Sequence, residues 1–349
     1  MQIGIYKKEG SFSDGWIDYC ERNNISYKLV DVYANDIVAQ LSDCDALMWH
    51  YHQANHKDMK FAFALLTSLE LAGKRVFPDF RTCWHFDNKV YQKYLLESIG
   101  APLVPTYVFY DEAEALQWVE QTAFPKVFKL KGGAGAMNVK LAKTKKEAIS
   151  LVKKAFSSGF SQYDRLGYVK EMIGKYRQDK VKLRDVFRSF YYCLKRYPTE
   201  FAHYHGNEIG YVYFQEFIPN NNCDVRLIVI DGKYAYGMKR IVRDGDFRAS
   251  GSGLFVYDKI DDAILTIAFS IAKKIKIQSV AFDFIYNENE EPLIVEISYG
   301  YGTKGSGKCQ WYWDDKLNRI VGSPNPFGWM VESLMRDINE SNSLDSVCI

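Results

Sequence analysis

Hydrophobic and polar positions alternate in two rhythms along this chain. Up to about residue 80, apolar runs at 2–6, 27–32, 46–51 and 75–80 read as strands, and apolar residues three and four apart predict helices near 14–23, 35–41 and 57–72, the last stopped by Gly73. Strand and helix in alternation predict a parallel sheet, and so an α/β unit. A helix over 87–98 that ends at Gly100, with Pro102 and Pro105 after it, marks a boundary. Beyond it Asp111 caps a helix running to 122, and FPKVFKLKGGAGAMNVKLAK reads as strand, glycine loop, strand. The capping box from Thr144 to Glu147 then opens a helix to about 156.

Residues 160–208 are polar, basic and aromatic and read as an inserted helical element. Leu183, Val186, Phe187, Phe190 and Leu194 form one stripe of a helix over 181–197, and such a stripe is expected to face a core. From Tyr211 the period becomes two: YVYFQEFI and DVRLIVIDGKYAYGMKRIV are strands, with Asp231-Gly232 as a hairpin signal whose two-residue turn pairs Ile230 with Lys233. That register puts Val225, Leu227, Val229, Tyr234, Tyr236 and Met238 on one side and Asp224, Arg226, Gly237 and Lys239 on the other. The polar side suits a nucleotide's ribose and phosphates, or simply a solvated sheet face. After the glycine-rich DGDFRASGSG, a helix over 261–276 leads into the final hairpin, so the C-terminal part is α+β in character. The expected divisions are 1–85, 86–214 with the insertion at about 160–208, and 215–349.

That hairpin, VAFDFIYNENEEPLIVEISYG, turns between Asn289 and Glu290, which places Asp283 opposite Glu296. Ala281, Ile285, Ile294 and Ser298 share their face, and Phe282, Phe284, Val295 and Ile297 form an apolar face for a core. Carboxylates opposed on neighbouring strands have Cβ atoms about 4.5–5.5 Å apart and repel unless a cation lies between them. A magnesium ion held by one or two carboxylates and completed by phosphate oxygens and water meets that need. A solvated edge hairpin with its acids in water is the other reading. Upstream, Lys129 and the loop from Lys131 to Ala136 offer a charge and small residues whose N–H groups can approach phosphate; a glycine-rich hairpin tip fits the same residues, and no GK[ST] follows. His50, His52 and His56 follow the third strand, at the sheet end where open α/β folds place ligands.

Bulk composition narrows the classes. With 349 residues, 47% hydrophobic and 25% charged, the chain is ordinary globular material. A net charge of +2 gives no field that would make nucleic acid or an anionic membrane the main partner. Seven scattered cysteines without a CxxC point to a reducing compartment, and no run of 18 apolar residues occurs, so a soluble cytoplasmic protein is expected.

Taken in order, Lys89, Lys129 with its glycine loop, Gln215-Glu-Phe-Ile218, Asp224-Val-Arg226, Lys239-Arg240, Phe247-Arg-Ala-Ser250, Asp283 and Glu296-Ile-Ser298 resemble the ATP-grasp superfamily. The likeness is strongest to the carboxylate–amine ligases typified by the enzyme that adds glutamate to ribosomal protein S6, and it spans roughly residues 85–305. No single motif carries it; the ordered set does. The resemblance implies an ATP-grasp fold behind a Rossmann-like N-terminal domain. It implies that Lys89 and Lys129 contact ATP phosphates under a loop containing Gly133 and Gly135, and that Glu216 and Phe217 read the adenine edge while Asp224 holds the ribose. Arg240 occupies the family's phosphate-binding position, although strict alternation points Lys239 inward; with Arg248 these are the catalytic cations, and Ser250 lies at the nucleotide junction. Asp283, Glu296 and Ser298 match the metal ligands, with serine in place of the usual asparagine.

The implied cofactors are ATP and Mg²⁺, two ions in the family, for which Mn²⁺ can substitute. The implied reaction forms an amide from a small-molecule carboxylate and an amine through an acyl phosphate, with a saccharide or peptide acceptor as an alternative. Polysaccharide or peptide-metabolite synthesis would be the setting, and a homodimer is compatible with it. A non-catalytic ATP-binding module and an ATP-grasp phosphotransferase are the competing expectations.

Overall fold

The computed structural model describes residues 1–133, 138–161, 165–177, 181–194, 200–243, 245–303 and 306–345. It divides into two compact units, 1–86 with 99–102 and 220–349, and 87–98 with 103–219.

In the first unit the predicted parallel sheet is present, ordered Tyr27–Leu29, Ile3–Ile5, Ala46–Met48, Arg75–Phe77. The last strand is shorter than its apolar run suggested, because Asp79 accepts from the Thr82 N–H and caps a short helix, Phe80–Cys83. Both faces of the sheet are buried, as a parallel sheet requires. Leu47, Trp49, Leu66 and Tyr299 pack on one side, and Ile3, Ile5, Trp16 and Met330 on the other. The helix Phe12–Arg22 packs against the C-terminal helix Pro326–Asp345. Gly15 allows this approach, since a Cβ there would lie 2.1 Å from the Phe327 ring.

The second sheet of this unit runs Pro292–Ser298, Ser279–Tyr286, Cys223–Ile230, Tyr234–Ile241, Trp311–Asp314, Arg319–Val321, with Phe255–Val256 paired on Tyr234–Ile241. One expected register is corrected here. Asp231 and Gly232 both take positive φ and Lys233 N–H reaches Ile230 O at 3.0 Å, yet Ile230 pairs with Tyr234 and not with Lys233. The extra residue turns the whole 234–241 strand over. Tyr236, Met238 and Arg240 therefore share the face of Asp224 and Arg226, and Gly237 and Lys239 face the other way. Burial explains the choice: Tyr236 and Met238 enter the core containing Ile228, Ile230 and Ala281, and Arg240 lands opposite Asp224.

The final hairpin pairs Asp283 with Glu296 and Ala281 with Ser298, as its pattern predicted. A bulge directly after Asp283 then shifts the pairing, so Ile294 stands opposite Phe284 and not Ile285. Ile294 thereby joins the buried Phe282, Phe284 and Ile297.

In the second unit, Thr106–Phe109, Val212–Glu216, Lys126–Lys129 and Val139–Ala142 form an antiparallel sheet in that order. Helices Glu112–Gln121 and Lys145–Phe156 bury Ala115, Val119, Ala148 and Val152 with Phe128 and Phe214. Both predicted caps are in place: Asp111 accepts from the Ala113 and Glu114 N–H groups, and Thr144 from that of Glu147. In the insertion, Leu183–Leu194 packs on Arg165–Arg177. Of its stripe only Val186 is turned inward. Leu183, Phe187, Phe190 and Leu194 are 48%, 66%, 47% and 86% exposed, and Val186 and Ser189 are the buried positions.

Candidate active site

The sheet face of Asp224 carries a ladder of alternating charge across three strands. Arg226 grips Asp283, Nε to Oδ1 at 2.7 Å and Nη2 to Oδ2 at 2.8 Å, while Arg240 holds Asp224 through Nε to Oδ1 at 2.7 Å and also reaches Asp283 Oδ2 at 2.8 Å. Register dictates this: Asp224 is opposite Arg240, Arg226 opposite Asp283, and Asp283 opposite Glu296, so all five point to one side. Farther along the same face Ile228, Tyr236 and Ala281 are buried apolar groups, which fixes the charged end at the sheet's edge of the core.

Burial alone would raise the Asp283 carboxyl, but Arg226 and then Arg240 outweigh it and hold it well below the usual carboxylate range. Asp224, nearly as buried and sharing Arg240 with Asp283, is pushed up to about 6 by desolvation despite its arginine. The cation that the opposed acids demanded is thus supplied, at Asp283, by two arginines. Sequence reasoning placed Arg226 on this face without giving it that role; its position two residues after Asp224 was the available signal.

A magnesium site can still be built from these residues. Among the described residues no group of three His, Cys, Asp or Glu side chains clusters as metal ligands. Mg²⁺ needs fewer, because it keeps water and takes phosphate oxygens alongside one or two carboxylates. Asp283 is ionised, as a ligand must be, and its three arginine contacts leave one of a carboxylate's roughly four acceptor sites on Oδ1. Glu296 is half-buried directly across from it, and Ser298 adds a hydroxyl two residues on. All of these donors are hard oxygens, as Mg²⁺ prefers, so the set fits the ion.

The remaining predicted residues of this unit are spread out. Lys239, on the opposite sheet face, lies 3.4 Å from Asp258. Arg248 is clasped by Asp246, Nε to Oδ2 at 2.8 Å and Nη2 to Oδ2 at 2.6 Å, and Ser250 offers its carbonyl to Arg243. His50 is buried, stacked on Phe12 with ring centres 3.7 Å apart, and its Nδ1 accepts the Phe12 N–H at 3.2 Å. His52 Nδ1 accepts from the Ala54 N–H, and His56 begins the helix His56–Leu71.

In the other unit, the buried Lys89 donates to Gly133 O at 3.0 Å, and Asp87 accepts the Gly133 N–H at 3.0 Å, so the start of the glycine loop is tied to the helix Lys89–Ser98. Gly135 lies outside the described residues. Lys129, buried, donates to Gln215 Oε1 at 2.6 Å. Glu216 binds Lys126 through both oxygens, at 2.7 and 2.8 Å, and accepts from Tyr107 at 3.1 Å; Phe217 follows, half-buried. Lys126, Tyr107 and Gln215 were not singled out from sequence, although Gln215 sits inside the QEFI motif.

Residues 206–312 match the RimK-like ATP-grasp domain. A protein of Saccharolobus solfataricus named alpha-aminoadipate–LysW ligase LysX is 24% identical over 286 residues, 80% of this chain and 85% of that one. A probable alpha-L-glutamate ligase of Legionella pneumophila is 35% identical over 98 residues, 27% of this chain and 32% of its own. The crystal structure of D-cycloserine synthetase DcsG shares the fold at TM-score 0.59 and 12% identity, covering 97% of this chain and all of that one (100%).

The chain shares the fold of solved ATP-grasp ligases, and its residues 206–312 match the RimK-like ATP-grasp domain. Both of those relatives are named as ligases of an amino acid. Among the described residues no helix is long and apolar enough to cross a membrane.

Proposed function

We propose that this chain couples ATP cleavage to amide formation, activating a substrate carboxylate as an acyl phosphate and passing the acyl group to an amine. The observation that carries this reading is the opposed pair Asp283 and Glu296, with Asp283 kept ionised by Arg226 and Arg240. In the first step a substrate carboxylate oxygen attacks the γ-phosphorus of ATP and ADP leaves; in the second an amine attacks the acyl carbon, phosphate leaves and the amine gives up a proton. Neither step needs a side-chain nucleophile, so the protein's task is positioning and charge neutralisation.

Bound Mg²⁺ would neutralise phosphate charge, held by Asp283 and Glu296 with Ser298 beside them. Lys89 and Lys129 would bind phosphate oxygens, the peptide at Glu216 and Phe217 the adenine, and Asp224 the ribose. Arg240, rather than Lys239 on the opposite face, would keep Asp283 oriented, and Arg248 would stabilise charge developing on the acyl oxygen. The names of the relatives support an amino-acid carboxylate as substrate.

Glu296→Gln tests this while leaving Asp224 and Asp283 in place for Arg226 and Arg240. A panel of amino-acid carboxylates and amines, assayed for ADP and phosphate with mass spectrometry of products, should give amide with the parent chain and none with the variant. Full turnover in a folded Glu296→Gln protein refutes the metal assignment; ATP binding without turnover across the panel favours a binding module.

A further inference from the structure

Two buried lysines lie on one strand, Lys126–Lys129, and they are treated differently. Lys126 is neutralised by both oxygens of Glu216. Lys129 donates instead to the neutral amide of Gln215, at 2.6 Å. The amide continues a relay: Gln215 Nε2 donates to Thr106 Oγ1 at 3.1 Å, and Thr106 Oγ1 donates to Val104 O at 2.7 Å. Gln215 and Thr106 are buried and directly opposite on neighbouring strands.

The direction of every bond in this relay is forced. A main-chain carbonyl only accepts, so the Thr106 hydroxyl spends its hydrogen on Val104 and offers its oxygen to Gln215. Gln215 must then turn its NH₂ toward Thr106 and its carbonyl toward the ammonium. Flipped, the amide would set two donors against each other. A lysine side chain carries about 2 kcal/mol of rotamer entropy, so an ammonium meant for a ligand gains from a fixed acceptor. Gln215 supplies that acceptor from the neighbouring strand.

We infer that Gln215, oriented by Thr106, is a positioning residue that aims the Lys129 ammonium at the nucleotide phosphates. This rests on the proposed role of Lys129. The test is titration calorimetry of the full chain with Mg²⁺ and a non-hydrolysable ATP analogue, with thermal unfolding run alongside. Lys129→Ala and Gln215→Leu should each weaken binding by about tenfold, the scale of a lost hydrogen bond to a charged group. Thr106→Val should weaken it severalfold although it touches neither lysine nor ligand, and Thr106→Ser should restore it. In a Lys129→Ala background, Gln215→Leu should cost nothing further.

Parent-like binding by Thr106→Val and Gln215→Leu beside a weakened Lys129→Ala overturns the relay while leaving the lysine's role intact. An equal loss from Gln215→Leu in both backgrounds also overturns it, as general packing damage. Unweakened binding by Lys129→Ala removes the lysine from the site, and the inference with it.

Discussion

Arg226 meets Asp283 edge to edge, two nearly parallel hydrogen bonds of 2.7 and 2.8 Å on a carboxylate whose side chain is only 5% exposed. Breaking a buried pair from one side leaves an unpaired charge, so Arg226→Met should lose about 3 kcal/mol or more in urea unfolding. Asp283→Asn should lose a comparable amount, because it strands Arg226 and part of Arg240. The double variant should lose at least 1 kcal/mol less than the sum of the singles, roughly the coupling expected of contacting charges. Strict additivity would mean that the two side chains do not interact in solution.

Acid stability should depend on His50. Burial lowers its pKa to about 3, with Lys8 and His52 adding to the shift, and burial lowers that of His85 to about 4. A histidine whose folded pKa lies below its unfolded value contributes its full stability above about 6.5, and that contribution is lost as pH falls toward the folded value. The maximal slope is about 1.4 kcal/mol per pH unit for each group. Asp79 and Asp224, both raised to about 6 chiefly by burial, act in the opposite sense, gaining stability as pH falls through 6. The informative measurement is therefore a difference: parent minus His50→Gln, in urea at pH 7.5, 6, 5 and 4.5, should shrink steadily below pH 6.5. Parallel curves would show that the buried ring is not titrating as its surroundings require.

Much of this geometry was legible beforehand, and its failures have a common origin. Asp283 opposite Glu296 followed from one turn and a period of two. The bulge after Asp283 did not, since the same apolar residues satisfy either pairing and burial of Ile294 selects one. At Asp231-Gly232 the dipeptide specified the turn's backbone but not how many residues it would hold. Complementary charge was the overlooked clue: Arg240 opposite Asp224 and Met238 with Tyr236 in the core form a more consistent face than the one expected. The relay at Lys129 was invisible because it links residues 86 and 109 positions apart.

Gly300, just past the strand that carries Glu296, should not tolerate a methyl group. A Cβ there would lie 2.5 Å from two carbons of the Phe86 ring, and that ring is packed against Tyr299 with centroids 4.6 Å apart. Overpacking of this kind costs about 1–3 kcal/mol. Gly300→Ala should lower the unfolding midpoint accordingly, and Gly300→Ala with Phe86→Leu should recover part of the loss. An unchanged midpoint in the single variant would show that Phe86 moves aside freely.

The outward stripe of Leu183–Leu194 gives the sharpest contrast between pattern and structure. Apolar residues at 183, 186, 187, 190 and 194 have the spacing of a core-facing helix, and periodicity does not tell which of them are turned inward. Burial can: Phe187 and Phe190 are 66% and 47% exposed, while Val186 and Ser189 lie beneath the helix. Truncating a buried phenylalanine costs about 3–5 kcal/mol, whereas a surface substitution stays within about 0.5 kcal/mol. Phe187→Ser should therefore leave the urea midpoint of the isolated chain almost unmoved, and Val186→Ser should lower it clearly. The reverse order would mean that the helix is rotated about its axis and that its stripe lies inward after all.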